Sequence, residues 1–540
     1  MNNYKLPRVF PYDHWIPINP NSITGIELGG LKGLMGIGFS KGFMAFCLFG
    51  FCFIPLTSVA GDAKALYDKK CSQCHGVGGD GKGPAAEFVM PRPRDFTRGT
   101  YKFRTTPSGQ LPSDDDLFRS ITNGVPGTSM PAWDMLTEED RRGLVQHIKT
   151  FSSRFKEEQV PPSVNIGKAP PSSKEIVETG KKIYTDMGCA NCHGLNGRGN
   201  GASVYSEENG IFTLGMANDW EDPIVPANFT KRWTWRGGSR VEDVRRAFAT
   251  GLSGSPMPAF HGKDTFPVDA SKSDEEKEKQ ADEMGWALAH FISSLSPEKP
   301  EYRPVLTAKL VKGSLPSGFD DSIWSQAERM DMPMVGQVVF DPRQFTPSID
   351  MVSIKAVYNG TEMAWLIEWD DRTPDTGDAV VVQLPMKIEE GVAKPFFLGG
   401  DSRRAVEWWL VSPKSSGFSV STQKGWPAKN QKSEVRSQKS EGGMLKAVYD
   451  DGRWRVLIKR FLKPESGASW QVDGFTPFAV LAWDGANGDK GAKCAVSTWY
   501  SVRFEKKMPV MIWVYPPLVA GLVAAAQWWL ARTVRRRKTT

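Results

Sequence analysis

Two Cys-x-x-Cys-His pentapeptides, at residues 71–75 and 189–193, are the segments of this chain whose residue types and spacing could do chemistry. One helical turn would bring both thiols of a motif to one porphyrin edge, where they can form thioether bonds to vinyl groups. The histidine that follows would then point at the iron. Each motif therefore predicts one covalently attached haem c. The residues that would hold the two haems are Cys71, Cys74, His75, Cys189, Cys192 and His193.

The same Cys-x-x-Cys spacing also occurs in zinc sites and in redox-active disulfides. A zinc site needs a further pair of thiols or imidazoles, and neither pentapeptide has such a pair close to it in the sequence. A histidine directly follows the second cysteine in both copies, which favours haem over either alternative.

Each pentapeptide is followed by a Met-Pro-Ala-aromatic segment. Met130 lies 55 residues after His75, and Met257 lies 64 residues after His193. A methionine at an arbitrary position is most simply a core residue. Its repeated position in a proline-flanked loop instead predicts that each thioether ligates an iron.

Helices must position these groups. Before the second motif, Ser172 and Glu175 form a capping-box pattern that predicts the start of an amphipathic helix. Two closing helices are predicted to begin at Thr137 and Ser273, each of which has an acidic residue three positions later. The side chains that these two helices are expected to bury are Leu144, Ile148 and Phe151 in the first, and Trp286 with His290 or Phe291 in the second.

This order of helix, haem motif, methionine loop and closing helix resembles class I cytochrome c over residues 61–155 and again over residues 172–297. Residues 156–171 form a proline-containing linker between the copies. The resemblance implies two all-α domains whose irons have no open position, so the chain is expected to transfer electrons and to have no catalytic residue. The implied iron ligands are His75 with Met130 and His193 with Met257.

Three further histidines are rival ligands. His147 and His290 fall within the predicted closing helices, where they are expected to be packing or surface residues. His261 follows the Met257 segment directly and is the most credible substitute for that methionine.

The composition limits the partners of the chain. It has 540 residues, enough for about three domains, and seven cysteines, four of them in the haem motifs, which is not a disulfide framework. The net charge of +7 comes entirely from the leader, at +2, and the C-terminal tail, at +5. No basic surplus remains for binding nucleic acid.

Apolar runs near both ends predict the location. Residues 1–60 are expected to be a leader with a signal peptide cut after Ala60, with an uncleaved anchor as the alternative. A transmembrane helix is predicted at residues 508–531, and the basic tail at 532–540 would stay in the cytoplasm. The haem domains are therefore expected on the extracytoplasmic, periplasmic face of the cytoplasmic membrane, held by a single-pass C-terminal anchor.

Residues 305–506 alternate short apolar runs with Gly, Asp and Pro, which predicts an antiparallel β-sandwich. Seven segments in this region occur in the order seen in one family: 359–373, 378–385, 395–401, 408–409, 447–456, 482–488 and 497–500. They resemble the haem b-binding gamma subunit of membrane-associated, DMSO reductase-type molybdoenzymes, such as ethylbenzene dehydrogenase and nitrite oxidoreductase. The resemblance implies that the domain takes electrons from an iron–sulfur subunit.

In that family a Met and a Lys hold a non-covalent haem b. Here Met386 and Lys493 are the nearest candidates for these ligands. The segment around Leu398 lacks the expected methionine, and Cys494 lies one register from the lysine. A haemless docking module is therefore the alternative.

Together these patterns predict a membrane-anchored dihaem c-type cytochrome that relays electrons as a subunit of a molybdenum oxidoreductase complex. A nitrite oxidoreductase-like complex is the preferred context, by analogy. The expected partners are iron–sulfur and molybdopterin subunits, a soluble cytochrome c or an oxidase, and the membrane, with no nucleic acid. Two alternatives are a haem enzyme such as a peroxidase or reductase, and a cytochrome tethered to a haemless β-sandwich binding module.

Overall fold

A computed structural model describes most of the chain from residue 62 to residue 537. The ranges that it does not describe are 1–61, 297–298, 389–392, 415–416, 427–443, 464–466, 469, 507–510 and 538–540. The predicted leader, its signal peptide and the last residues of the basic tail therefore lie outside the described residues.

The first haem domain contains five helices. They are α1 (Ala63–Lys70), α2 (Ser72–His75), α3 (Asp114–Asn123), α4 (Glu138–Lys149) and α5 (Arg154–Glu157). Side-chain caps fix the starts of three of these helices: Asp62 accepts backbone hydrogen bonds at α1, Ser113 and Asp116 form a capping box at α3, and Thr137 caps α4 as predicted. The predicted burial of Leu144 and Ile148 is confirmed.

The second haem domain repeats this arrangement and adds a hairpin. Its elements are α6 (Lys174–Asp186), α7 (Ala190–His193), β1 (Tyr205–Glu208), β2 (Ile211–Leu214), α8 (Val241–Thr250) and α9 (Asp274–Ser294). The expectation of an all-α domain is therefore wrong for this copy. The antiparallel β1–β2 hairpin lies between the motif and the methionine loop, which accounts for extra residues in this interval.

Helix α6 begins one residue later than its predicted cap, because the Ser173 hydroxyl, and not that of Ser172, accepts the Ile176 backbone N–H at 3.2 Å. The predicted cap of α9 at Ser273 is confirmed. Helices α6 and α9 pack closely at Gly180, where an added Cβ would lie 2.0 Å from the Ala287 carbonyl oxygen. Only glycine allows the two backbones this approach.

The remaining elements form a large β-rich domain and a C-terminal helix. In chain order they are β3 (Val305–Leu310), α10 (Ile323–Gln326), β4 (Arg329–Pro333), β5 (Val335–Gly336), β6 (Met351–Tyr358), β7 (Glu362–Asp370), β8 (Ala379–Pro385), β9 (Val406–Ser412), β10 (Gly417–Gln423), β11 (Met444–Asp450), β12 (Arg453–Phe461), β13 (Thr476–Trp483), β14 (Ala495–Val496), β15 (Tyr500–Phe504) and α11 (Met511–Arg537).

The strands form one continuous hydrogen-bonded path in the order β10-β9-β8-β13-β15-β3-β6-β7-β12-β11, with β4, β5 and β14 attached to its sides. Neighbouring strands are antiparallel except that β3 runs parallel to both β15 and β6. The expectation of a purely antiparallel sheet is wrong at this strand. Insertion of β3 pairs two strand edges that would otherwise be unpaired, so the sheet continues into a nearly closed, barrel-like form.

The two halves of this path face each other across an aromatic core. Trp365 on β7 contacts Trp409 on β9 and Phe478 on β13, with ring centroids 6.5 Å and 5.0 Å apart. All three side chains are fully buried. The interior is therefore filled by side chains from both halves of the sheet.

Helix α11 is the one described helix that is long and apolar enough to cross a membrane, judged by length and composition. Its apolar part runs from Val514 to Arg535, has a mean hydropathy of 1.3, and is not buried against the rest of the protein. The helix continues through Pro516 and Pro517, which lie in its first two turns.

Candidate haem attachment sites

The first pentapeptide forms a single helical turn. Cys71 precedes α2, and the Cys74 backbone N–H donates to the Cys71 carbonyl oxygen at 3.1 Å. Both thiols are free and half-buried. This geometry places two sulfurs one turn apart on the same short helix, as attachment to two vinyl groups of one porphyrin requires.

The imidazole of His75 is held by the loop that follows the first motif. Its Nδ1 lies 3.0 Å from the carbonyl oxygen of Arg94. A carbonyl oxygen only accepts, so Nδ1 carries the hydrogen and Nε2 keeps its lone pair for a metal. The ring also stacks on Phe96, with centroids 4.5 Å apart and planes 16° from parallel. Both contacts fix the direction of Nε2.

Tyr67 on α1 closes the back of this turn. Its buried hydroxyl donates to the Gly76 carbonyl oxygen at 2.8 Å, directly after the motif histidine. The Tyr67 ring contacts Phe151, which follows α4, at a centroid distance of 5.1 Å. The motif is thus tied to both the opening and the closing helix of its domain.

The second site reproduces each of these contacts. His193 Nδ1 lies 3.3 Å from the Ala227 carbonyl oxygen, and its ring stacks on Phe229 at 4.3 Å. The Tyr184 hydroxyl donates to the Gly194 carbonyl oxygen at 2.7 Å. Two segments of different sequence therefore build the same support for a motif histidine.

The protein surroundings also keep both imidazoles neutral. Burial lowers the pKa of His75, and it lowers the pKa of His193 to about 4. At pH 7 each ring therefore carries a single proton, on Nδ1, which is the form that ligates a metal.

The cysteine pairing and the neighbouring side chains of the pentapeptides bear on the two alternatives, a redox-active disulfide and a zinc site. The cysteines are not paired in disulfides. Among the residues that the structure describes, the one group of His, Cys, Asp or Glu side chains close enough to share an ion includes no residue of either motif. The residues present fit a thioether-bound haem with a histidine ligand, and they do not form a zinc site.

The methionine segments form two loops with the same internal bonds. In the first, the Val125 backbone N–H donates to the Met130 carbonyl oxygen at 3.0 Å; in the second, Leu252 donates to Met257 at 3.1 Å. Each loop follows a glycine with a φ near +65°, Gly124 or Gly251, which ends α3 or α8. Both methionines are half-buried.

The rival histidines have other contacts. His147 packs between Tyr67 and Phe151, with each centroid distance at 5.0 Å. His290 is buried, and its Nε2 lies 2.9 Å from the Pro170 carbonyl oxygen. His261 is exposed beside the second methionine loop. The first two are thus packing residues, as expected from their helical positions.

The two haem domains contact each other through groups that the sequence did not single out as a pair. The buried guanidinium of Arg104 donates to the Thr250 carbonyl oxygen at 2.6 Å, at the end of α8. Trp220 of the second domain lies under Arg94, 4.3 Å from the guanidinium carbon, and donates to Asp95 at 3.2 Å. Arg94 is also the residue whose carbonyl holds His75.

An acidic residue of the β domain holds the second haem domain. Asp370, at the end of β7, pairs with Arg198 at 2.9 Å and with Lys231 at 3.3 Å, and it accepts from Asn228 at 3.1 Å. Arg453 of the β domain pairs with the same carboxylate at 2.8 Å. No local sequence pattern indicates this cluster, because its members are far apart along the chain.

Lys493 and Met386, the two proposed haem b ligands, each contact other groups of the β domain. The Lys493 ammonium donates to the Asn487 carbonyl oxygen at 2.6 Å and lies 3.6 Å from Asp489. Met386 follows β8, half-buried, and its backbone N–H donates to Ala405. Lys493 would have to leave both of its partners before its amine could ligate an iron.

Two family models match the haem regions. Cytochrome C oxidase, cbb3-type, subunit III matches residues 59–148, and Cytochrome c matches residues 177–296. A solved reducing HAO-like protein complex from Kuenenia stuttgartiensis contains a chain that is 38% identical. It has a TM-score of 0.38, and the match covers 44% of this chain and 96% of that chain.

Curated relatives agree with the family models. A Haloferax mediterranei protein, described as a candidate respiratory nitrate reductase haem subunit, is 22% identical over 247 residues, which are 43% of this chain and 86% of that protein. A cytochrome c of Theileria annulata is 32% identical over 107 residues, 19% of this chain and 92% of its own length. Through its haem domains, the chain belongs to the cytochrome c family.

Proposed function

We propose that this chain is a dihaem c-type cytochrome that relays electrons as a membrane-anchored subunit of a respiratory oxidoreductase complex. The observation that carries the proposal is the duplicated support of the motif histidines. In both copies a backbone carbonyl fixes Nδ1, a phenylalanine stacks on the ring, and a tyrosine hydroxyl holds the next residue.

The residues of the chain have distinct roles in this proposal. Cys71 and Cys74 attach one haem, and Cys189 and Cys192 attach the other. The iron ligands are His75 with Met130 and His193 with Met257. Haem c, when bound, supplies a one-electron iron couple whose potential the axial thioether raises.

Three features of the chain support a relay over a substrate-converting haem enzyme. A methionine loop is present in each domain, so both irons would have two protein ligands. The rival His147 and His290 are held in packing contacts, so they are not placed as acid–base groups. Arg104 and Asp370 hold the three domains against one another, as a fixed electron path requires.

The wider context is part of the proposal. The Haloferax relative is described as a haem subunit of a respiratory nitrate reductase, which supports a molybdenum oxidoreductase such as a nitrite oxidoreductase-like complex as the parent assembly. Helix α11 would anchor the chain, with the haem domains on the periplasmic face. The partners would be iron–sulfur and molybdopterin subunits on one side and a soluble cytochrome c or an oxidase on the other.

The haem content of the full chain, purified from membranes, tests the proposal. A pyridine haemochrome assay and haem staining after denaturation should give two covalent haems per chain. Cys74→Ser and Cys192→Ser should each remove one haem. Cys494→Ser is the matched control, because this buried cysteine lies outside both motifs, and it should retain two. Fewer than two covalent haems in the unmodified protein would refute the proposal.

The same preparation tests the context. Co-purification with molybdopterin and iron–sulfur subunits would support the oxidoreductase assembly, and a chain that purifies alone from its native membrane would contradict it. Acid–acetone extraction distinguishes a haem b from the covalent haems. One extractable haem, lost in Lys493→Gln, would place haem b in the β domain.

A further inference from the structure

Three buried carboxylates meet at one end of the β domain. Asp371 and Asp378 lie on the loop between β7 and β8, and Asp484 directly follows β13. One carboxylate oxygen of each lies within 4.8 Å of the other two. Asp371 is 3% exposed, Asp378 is 1% exposed and Asp484 is 7% exposed. Two separate segments of the sheet therefore bring three acidic groups together out of contact with solvent.

The hydrogen bonds that these carboxylates accept come from neutral donors. The Trp454 indole N–H donates to Asp378 Oδ2 at 2.9 Å, and the Gly485 backbone N–H donates to Oδ1 at 3.1 Å. Backbone N–H groups of Thr373 and Asn487 donate to Asp371 and Asp484. Such donors orient carboxylates but do not neutralise three negative charges.

One oxygen in the group has no hydrogen-bond partner among the described residues. Asp371 Oδ1 accepts from Thr373, whereas Oδ2 is buried and accepts no hydrogen bond from any residue that the structure describes. A buried carboxylate oxygen without a donor is costly, because it has lost water and gained nothing in exchange. This unpartnered atom is an independent observation that points to a positively charged ligand beside the three carboxylates.

The surrounding charges do not compensate for the cluster. Asp375, also buried, adds a fourth carboxylate beside Asp378, and Arg372 is the cation that acts on Asp484. Burial and mutual repulsion raise the pKa of Asp371 and Asp484, and they raise the pKa of Asp378 to about 8. The protein thus holds these groups in a geometry that disfavours their own charge.

We propose that Asp371, Asp378 and Asp484 bind a divalent cation of the calcium class. All three donors are hard carboxylate oxygens, and no thiol or imidazole belongs to the group, which excludes the ligand sets that zinc prefers. Oxygens that lie 2.3–2.6 Å from a calcium ion are at most about 5 Å apart, so the spacing of the carboxylates suits its coordination shell. Backbone carbonyls and water would complete the coordination.

The position of this site gives the ion a structural role. Asp371 is the neighbour of Asp370, which pairs with Arg198 and Lys231 of the second haem domain. The Arg372 side chain lies beside Gly199 of that domain. Its Nε is 3.4 Å from the position that a Cβ added to Gly199 would occupy. Calcium at the three aspartates would therefore fix the loop through which the β domain holds the second haem domain.

The test uses the full haem-loaded protein, stripped of metal with EGTA and returned to calcium chloride. One calcium per chain should remain after gel filtration in low-calcium buffer, as measured by atomic emission. Asp371→Asn and Asp484→Asn should weaken calcium binding at least tenfold. Asp473→Asn, a change at a carboxylate whose side chain is 91% exposed, is the matched control and should bind calcium as the unmodified protein does.

Thermal unfolding supplies a second readout that does not depend on haem. In EGTA, the two site variants should unfold at the same temperature as the unmodified protein or above it, because each removes like-charge repulsion. In calcium this order should reverse. No bound calcium in the unmodified protein, or calcium content unchanged in both site variants, would overturn the proposal.

Discussion

The side-chain amide of Asn228 donates a hydrogen bond to the carboxylate of Asp370 at 3.1 Å, and it thereby joins the second haem domain to the β domain. The preceding residue, Ala227, is the one whose carbonyl holds His193 Nδ1. Phe229, the next residue, stacks on the same imidazole. A carboxylate of the β domain thus supports the short loop that orients the histidine of the second motif.

Replacing Asp370 with Asn should loosen this junction. The carboxylate is 9% exposed and pairs with Arg198, Lys231 and Arg453, so the variant leaves three cations with too little negative charge. We expect the free energy of unfolding to fall by about 3 kcal/mol, as for other broken buried ion pairs. Equilibrium denaturation of the haem-loaded protein measures the loss.

Asp350→Asn is the control, because Asp350 also pairs with Lys231 but its side chain is 46% exposed. It should cost less than about 1 kcal/mol. Lys231 is the main group that lowers the pKa of Asp370, and it does so against the opposing effect of burial. The stability that the Asp370 carboxylate contributes is therefore complete above its unfolded-state pKa of about 4, and it decreases as the pH falls further. Equal losses in the two variants would contradict the central role of Asp370.

The two proposed methionine ligands give a spectroscopic prediction. Met130→Leu and Met257→Leu should each remove half of the near-infrared absorption that reports thioether–iron ligation, and each should lower the potential of one haem. Met135→Leu is the matched control, since this nearby methionine is 73% exposed and should leave the spectrum unchanged. Absorption unchanged from that of the unmodified protein in either loop variant would show that the replaced methionine does not ligate an iron. For the second haem, His261 would then be the candidate ligand.

The first methionine loop depends on a glycine. An alanine Cβ at Gly124 would lie 2.5 Å from the Pro131 carbonyl carbon, so Gly124→Ala must displace the loop and should weaken the Met130 absorption. Gly109→Ala isolates the backbone strain, because Gly109 also has a positive φ, +78°, but no atom lies within 4 Å of its added Cβ. Gly109→Ala should lower the free energy of unfolding by about 1–2 kcal/mol and leave the near-infrared absorption unchanged. Indistinguishable spectra of the two variants would contradict this role of Gly124.

The tyrosine behind each motif should contribute measurably to stability. Tyr67→Phe removes the donor from the buried Gly76 carbonyl and should lower the free energy of unfolding by about 1–2 kcal/mol. Tyr184→Phe should act equally in the second domain. Tyr302→Phe, at a side chain that is 57% exposed, should have no effect beyond error in the same denaturant titration.

Local sequence patterns predict the haem motifs and two of the helix starts in the haem domains, but not the β1–β2 hairpin. Both pentapeptides lie on single helical turns, and the capping serine of α9 and the threonine of α4 were identified correctly. These features depend on residues within one turn of each other, so their physics is local. The predicted cap of α6 is wrong by one residue, because the adjacent serines Ser172 and Ser173 can each serve as a cap.

The contacts between domains could not be predicted in this way. Asp370 and Arg198 are separated by 172 residues, and Arg104 and Thr250 by 146 residues. Strand β3 likewise enters the sheet beside β15, from the other end of the domain. Periodicity identifies which face of a strand is buried, but it does not identify the distant segment that will cover it.

Trp220 has a consequence for the speed of the proposed relay. Its ring lies against the guanidinium of Arg94, and the carbonyl of Arg94 holds His75, so one domain directly supports the proposed iron ligand of the other. Electron transfer is slowed when ligands must rearrange between oxidation states. The contact between Trp220 and Arg94 would limit that rearrangement, so an electron would pass from one domain to the next with little movement of the surrounding protein.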